Sequence, residues 1–90
     1  MLRVFKISGH SMQPAVNPGE KVITSRLGYL FSNPKVGDLV VAFDRIEHKH
    51  VLKRIADINN AGYRLRGDRH GTVYGRLSKR DIVGKVLRKI

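Results

Sequence analysis

Short β-type segments separated by turn residues constrain the fold of this chain more than any other feature. No window of about 12 residues has the apolar periodicity of a helix, whereas Leu2–Ile7 alternates apolar and polar side chains as a half-buried strand does. Lys21–Arg26 and Asp38–Asp44 are similar runs, and each follows a turn sequence that contains proline and glycine. The sequence therefore predicts an all-β, or β-dominated, fold.

The second half of the chain continues this pattern with a hairpin. His50–Ile58 and Tyr63–Arg66 flank Asn59-Asn60-Ala61-Gly62, whose asparagines and glycine tolerate the positive φ angles that a hairpin turn needs. A last strand is expected over Ile82–Leu87.

The length of the chain favours one domain. A chain of 90 residues buries only about 60 to 65 percent of its unfolded surface, so we expect one compact core over residues 1–90. Leu27–Ser32 and Ser78–Asp81 can each add a single helical turn. Cysteine is absent, which excludes disulfides, thiolate zinc sites and a cysteine nucleophile.

The charge of the chain is strongly positive. Eighteen Lys and Arg against seven Asp and Glu give a net charge of +11, above the magnitude of about 2 to 8 that a small domain needs for solubility. The basic residues are spread along the chain and become denser near its end. Two interpretations stay open, a generally solvated basic surface or a dedicated face for an acidic partner.

Nothing in the sequence predicts a membrane span or export. The longest apolar stretches, such as Leu39–Phe43, are far shorter than the roughly 20 residues that a spanning helix requires. Met1–Ile7 alternates apolar with basic residues and lacks the continuous apolar core of a signal peptide. We therefore expect a soluble, cytoplasmic protein.

Five short motifs follow one another along the chain. They are Gly9-His10-Ser11-Met12-Gln13-Pro14, Asn17-Pro18-Gly19-Glu20, Val36-Gly37-Asp38-Leu39-Val40-Val41, Lys53-Arg54-Ile55, and Gly67-Asp68 with the segment 74–86. In order and spacing they resemble the motifs of the type I signal peptidase family. These serine/lysine endopeptidases share a β-barrel-type catalytic core with the repressor-cleaving self-processing proteases. The small size also resembles the soluble members that mature nickel-type superoxide dismutase.

The resemblance implies a catalytic dyad of Ser11 and Lys53. Ser11 would attack the scissile carbonyl while the neutral amine of Lys53 takes its proton. A free lysine has a pKa of about 10.4, so only about one in 2,500 is neutral at pH 7, and burial among apolar neighbours must lower that pKa. Successive residues of a strand face opposite sides, so Lys53 and Arg54 are expected to diverge.

The residues around Ser11 are expected to bind substrate. The backbone N–H of Ser11 is the natural donor to an oxyanion, and Gly9 would let backbone approach the substrate closely. The family's preference for small residues before the scissile bond implies shallow apolar pockets near Met12. The second oxyanion donor is not identified, and Ser8 and His10 are both candidates.

Structural support is implied for four further residues. Arg54 would pair with a carboxylate, with Asp68 as the candidate, while Gly67 and Pro14 complete the motifs at the two ends of the site.

The last motif is shorter than is common in the family and lacks its additional serine and its Asp-Ser-Arg element. Thr72, Ser78 or neither could therefore be the hydrogen-bond partner that positions Lys53.

The sequence thus predicts a serine endopeptidase that cleaves a leader or propeptide from a protein or peptide substrate and needs no cofactor. A metal site is not predicted, because His48 and His50 share a strand face without a third ligand at recognisable spacing. His10 is not favoured as a base, since it is adjacent to Ser11 and should point away from it.

The alternative is a basic β-domain that binds nucleic acid or an acidic protein and carries vestigial peptidase motifs. Nucleic acid is not favoured, because the aromatic residues are not interleaved with the basic ones as they are in single-strand binders.

Overall fold

The computed structural model describes residues 2–27, 29, 32–69 and 73–90, with the side chains of all of these except 73–76. Within these residues, seven strands form one antiparallel sheet in the order β1-β2-β7-β3-β4-β5-β6. They are β1 (Leu2–Lys6), β2 (Lys21–Ser25), β3 (Leu39–Asp44), β4 (Lys49–Asn59), β5 (Gly62–Arg66), β6 (Val73–Leu77) and β7 (Ile82–Lys89). The all-β prediction is confirmed. The sheet is not closed, because β1 and β6 form its two edges.

Six of the strands lie within one or two residues of their predicted positions, but the sequence pattern does not predict β6. This strand contains Gly75, which weakens the local signal, and it is formed by pairing with the outer edge of β5. The predicted turn at Ser78–Asp81 is a short 3-10 helix over Lys79–Asp81. In Leu27–Ser32 the backbone is helical at Leu27 and Tyr29, while residues 28, 30 and 31 lie outside the described part of the chain.

The predicted hairpin joins β4 to β5. Gly62 has a φ of +127°, as the turn requires. Of the described turn residues, the two asparagines do not adopt positive φ. Asn59 instead stabilises the turn through its side chain, whose oxygen accepts a hydrogen bond from the Ala61 N–H at 2.8 Å.

Strand β3 lies at the centre of the sheet and is buried on both faces. Val40 and Ala42 pack in one cluster with Ile55, whereas Val41 packs in a second cluster with Leu52. A strand covered on both sides needs apolar residues at successive positions. This burial explains the continuous apolar run in β3. Strand β4 pairs with β3 over the whole length of β3 and therefore also lies near the centre of the sheet.

The sheet curls so that its edge approaches β4. Strands β1 and β4 are not neighbours in the sheet order, yet the ring centroids of Phe5 and His50 lie 5.2 Å apart. This curvature creates a cleft between β1 and β4, next to the connection from β1 to β2.

Candidate active site

Ser11 lies in the connection between β1 and β2, which is anchored at both ends. The N–H of Ile7 donates to the carbonyl of Glu20 at 2.8 Å, and the N–H of Gly19 donates to the carbonyl of Ile7 at 2.7 Å. Between these bonds Met12 and Val16, each 1% exposed, insert into the second core cluster. Two buried apolar residues thus hold the loop that carries Ser11 against the sheet.

The chain after β5 contacts Ser11 from the other side. The N–H of Arg69 donates to the Ser11 carbonyl at 2.8 Å. A Cβ built on Gly67 would lie 2.8 Å from the Ser11 carbonyl oxygen and 3.0 Å from the Ser11 Cβ. Only glycine fits without displacement, so the structure gives a steric reason for the Gly67 of the sequence motif.

Lys53, on β4, reaches the Ser11 hydroxyl. Its Nζ donates to Ser11 Oγ at 2.9 Å across a half-buried contact. Burial lowers the pKa of the Lys53 amine below its ordinary value, and the positive charge of Lys49 lowers it further. An amine with a lowered pKa in hydrogen-bond reach of a hydroxyl can accept its proton.

Arg54, the residue after Lys53 on β4, pairs with Asp68. Its Nε and Nη2 donate to the two carboxylate oxygens of Asp68 at 2.9 and 2.8 Å, and its Nη1 donates to the Gly37 carbonyl at 2.9 Å. Hydrogen bonding from Arg54 lowers the pKa of Asp68. This bidentate pair ties the segment that contacts Ser11 to β4 and to the turn before β3.

The sheet register is consistent with the divergence of Lys53 and Arg54. Lys53 is opposite Val40, which packs in the first core cluster, and Arg54 is opposite Leu39, which packs against the second. Neighbouring residues of β4 therefore start from opposite faces, which allows a partly desolvated amine to stand beside a charged guanidinium.

A cleft of about 210 Å³ opens beside the Ser11–Lys53 contact. It is lined by Phe5, Lys6, Ile7, Ser8, Gly9, Ser11, Met12, Val41, Lys49, His50, Val51, Leu52 and Lys53. The cleft therefore takes its walls from β1, the following loop and β4, with Val41 of β3 between them in sequence. The sequence interpretation missed six cleft residues, which are Phe5, Lys6, Ile7, Val41, Lys49 and His50. For Lys49 a signal existed, since it stands four positions before Lys53 on one strand and so shares its face.

The other residues expected around the site include Ser8, Gly9 and Pro14. Gly9 and Ser8 line the cleft, and a Cβ built at Gly9 meets no described atom within 4 Å, so space alone does not require glycine there. Pro14 is exposed in the loop after Met12.

Neither predicted partner of Lys53 gains support from the described hydrogen bonds. The Ser78 hydroxyl donates to Asp81 at 3.0 Å and caps the 3-10 helix. Thr72 lies outside the described residues.

The described residues contain neither a metal-ligand cluster nor a membrane-spanning helix. Over residues 2–27, 29, 32–69 and 73–90, no group of three or more His, Cys, Asp or Glu could hold a metal ion. Over the same ranges, no helix is long and apolar enough to cross a membrane.

Comparison with known protein families identifies a match for most of the chain. A family model described as signal peptidase, peptidase S26, matches residues 1–74. This range contains the Ser11 loop, β4 and the Gly67-Asp68 segment. No curated protein matches the chain.

Proposed function

The chain belongs to the signal peptidase S26 family, and we propose that it is a serine endopeptidase in which Ser11 is the nucleophile and Lys53 the general base. One observation carries this proposal, the 2.9 Å contact between Lys53 Nζ and Ser11 Oγ. It lies at the edge of a cleft, and the chain supplies an amine there whose pKa is lowered by burial. The family membership supports a peptidase, and the geometry supports this choice of residues.

The proposed reaction proceeds through an acyl-enzyme. The neutral Lys53 amine removes the proton from Ser11 Oγ as the oxygen attacks the scissile carbonyl. The backbone N–H of Ser11 donates to the developing oxyanion. When the C–N bond breaks, the Lys53 ammonium returns the proton to the leaving amine. A water molecule, deprotonated by the same amine, then hydrolyses the ester and regenerates both residues.

The proposed substrate is a protein or peptide with a leader or propeptide. The cleft volume of about 210 Å³ is below the roughly 300 to 1,000 Å³ of ordinary ligand pockets, which is compatible with small residues before the scissile bond. The half-buried side chains of Ile7 and Val51 supply apolar surface there, whereas Met12 and Leu52, which also line the cleft, are almost fully buried. Processing of nickel-type superoxide dismutase stays a prediction based on size and motif spacing.

The dyad is tested by matched substitutions. We expect Ser11→Ala and Lys53→Met each to reduce kcat for a peptide with small residues before the cleaved bond by about 10⁴-fold or more, with thermal unfolding close to that of the wild type. Lys85→Met is the control, because Lys85 lies on β7, outside the cleft lining, with a 46% exposed side chain and a long ion pair of 3.8 Å to Asp38. Wild-type turnover by Ser11→Ala would contradict the proposal.

The pH profile supplies a second test. Because the base must be neutral, kcat/KM is expected to rise with pH through the pKa of Lys53, and burial places this midpoint below the ordinary lysine value of 10.5. Lys49→Gln removes a positive charge that lowers the pKa of Lys53, so it should move the midpoint upward. A flat profile between pH 6 and about pH 10 would argue against a lysine base.

A further inference from the structure

The cleft next to Ser11 carries more positive charge than the proposed reaction uses. Among its described lining residues none is Asp or Glu, whereas four carry an amine or an imidazole. These are Lys6, Lys49, His50 and Lys53. Lys53 is assigned to proton transfer and the charge of Lys49 lowers its pKa, but the proposed reaction gives Lys6, Lys49 and His50 no contact with the substrate.

The position of Lys49 on β4 sets its distance from Lys53 and Ser11. It shares a strand face with Lys53 because the two residues are four positions apart on β4. At about 3.3 Å per residue, this spacing is roughly 13 Å along the strand. A substrate in extended conformation beside β4 advances by the same distance per residue, so a side chain about three or four residues from the scissile bond would meet Lys49.

The present partner of Lys49 is replaceable. Lys49 Nζ contacts a carboxylate oxygen of Glu47 at 3.0 Å, and the two side chains are 57% and 59% exposed. Exposed pairs of this kind contribute little and exchange readily. The Glu47 contact therefore shows where a carboxylate can bind to Lys49. A carboxylate of the substrate can take the place of Glu47 there.

His50 also lines the cleft, but it follows Lys49 directly on β4, so its side chain starts from the opposite face of the strand. Its ring lies 5.2 Å, centroid to centroid, from both Phe5 and Phe43. Contacts with two aromatic rings restrict the orientation of the imidazole. The imidazole therefore forms part of the cleft wall, and contact with a substrate carboxylate is left to Lys49.

We infer that this end of the cleft is a subsite for an acidic side chain of the substrate, with Lys49 as the specificity determinant. The inference rests on the proposed peptidase function and deepens it. The substrate would be a peptide that has an Asp or Glu about three or four residues from the bond cleaved after a small residue.

A peptide panel tests the subsite directly. Each peptide carries one small residue at the cleavage point and a single Glu placed in turn at every other position, with Gln at the same position as its uncharged match. We expect kcat/KM for the Glu peptide to exceed that for its Gln match by about fivefold at the third or fourth position. This ratio should decline as salt rises to 0.5 M, because added ions screen the contact.

Substitutions assign the effect to Lys49. Lys49→Gln should bring the Glu/Gln ratio close to one, and Lys49→Glu should invert it. Glu47→Gln removes the competing carboxylate and should raise the ratio. Lys85→Gln, outside the cleft lining, should leave it unchanged. Cleavage of Glu and Gln peptides at equal rates by the wild type would overturn the subsite and leave the peptidase proposal intact.

Binding separates the two proposals if no peptide is cleaved. Fluorescence anisotropy with Ser11→Ala then compares affinity for labelled Glu and Gln peptides. Tighter binding of the Glu peptide that Lys49→Gln abolishes would support the subsite while the peptidase proposal fails. Equal affinities without any cleavage would overturn both.

Discussion

Replacing Gly67 by alanine tests whether the chain after β5 sets the position of Ser11. The new Cβ would lie 2.8 Å from the Ser11 carbonyl oxygen and 3.0 Å from its Cβ, and neither atom can rotate away. Relief of the contact requires the Ser11 loop or the Gly67 segment to retreat by about 0.5 Å. The φ of Gly67 is not in the left-handed region, so backbone conformation adds no penalty and the perturbation is steric.

This displacement acts on the reacting atoms. It stretches the 2.8 Å hydrogen bond from the Arg69 N–H to the Ser11 carbonyl and moves Ser11 Oγ relative to Lys53 Nζ, now 2.9 Å away. Displacement of a reacting group by about 1 Å can lower the rate about 100-fold, so a displacement of about 0.5 Å should lower kcat about tenfold. Overpacking should also reduce the free energy of unfolding by about 1 to 3 kcal/mol.

The assay is steady-state cleavage of the small-residue peptide, measured well below the unfolding temperature of each variant. Gly84→Ala is the matched control, since its Cβ would lie 3.1 Å from the Ser25 carbonyl oxygen and 3.2 Å from the Thr24 Cβ, not against the Ser11 loop. It should lose stability and retain kcat. Unchanged kcat in a folded Gly67→Ala variant, or an equal loss in Gly84→Ala, would refute the reasoning.

Three stability predictions follow from other contacts. Asp68→Asn should lose about 1 to 3 kcal/mol at pH 7 because the bidentate bonds from Arg54 are weakened. Its difference from the wild type should shrink in urea denaturation at pH 3, because the stabilisation is complete above the unfolded pKa of the carboxyl and disappears as pH falls through its lowered folded pKa. Tyr29→Phe removes a 2.7 Å hydrogen bond to Asp38, and chemical denaturation should report a loss of about 1 to 2 kcal/mol. Gly62→Ala, at a φ of +127° and with a Cβ 2.5 Å from a β6 carbonyl oxygen, should cost about 2 kcal/mol or more in thermal unfolding, and an unchanged melting temperature would contradict the described turn.

The local features of this fold follow from its sequence because they depend on short-range physics. The apolar-rich run Leu2–Ile7 and the turn residues around Gly62 indicate a strand and a hairpin without knowledge of the rest of the chain. The half-buried face expected for that strand is not observed, because Leu2 and Val4 are 62% and 55% exposed. The pairing of Lys53 with Ser11 could be expected only through the family resemblance. Strand β6 could not be predicted, because its stability comes from pairing with β5 and its own sequence contains a glycine.

Sequence alone determined the positions of most strands, the all-β class and the family motifs, since side-chain alternation, turn residues and motif spacing are properties of neighbours in the chain. The tertiary structure decided which residues line the cleft. Phe5 and His50 lie on strands that are not neighbours in the sheet, and only its curvature brings them within 5.2 Å. The close approach of Gly67 to Ser11 likewise depends on how distant segments pack. Such contacts arise from long-range burial, which no local pattern specifies.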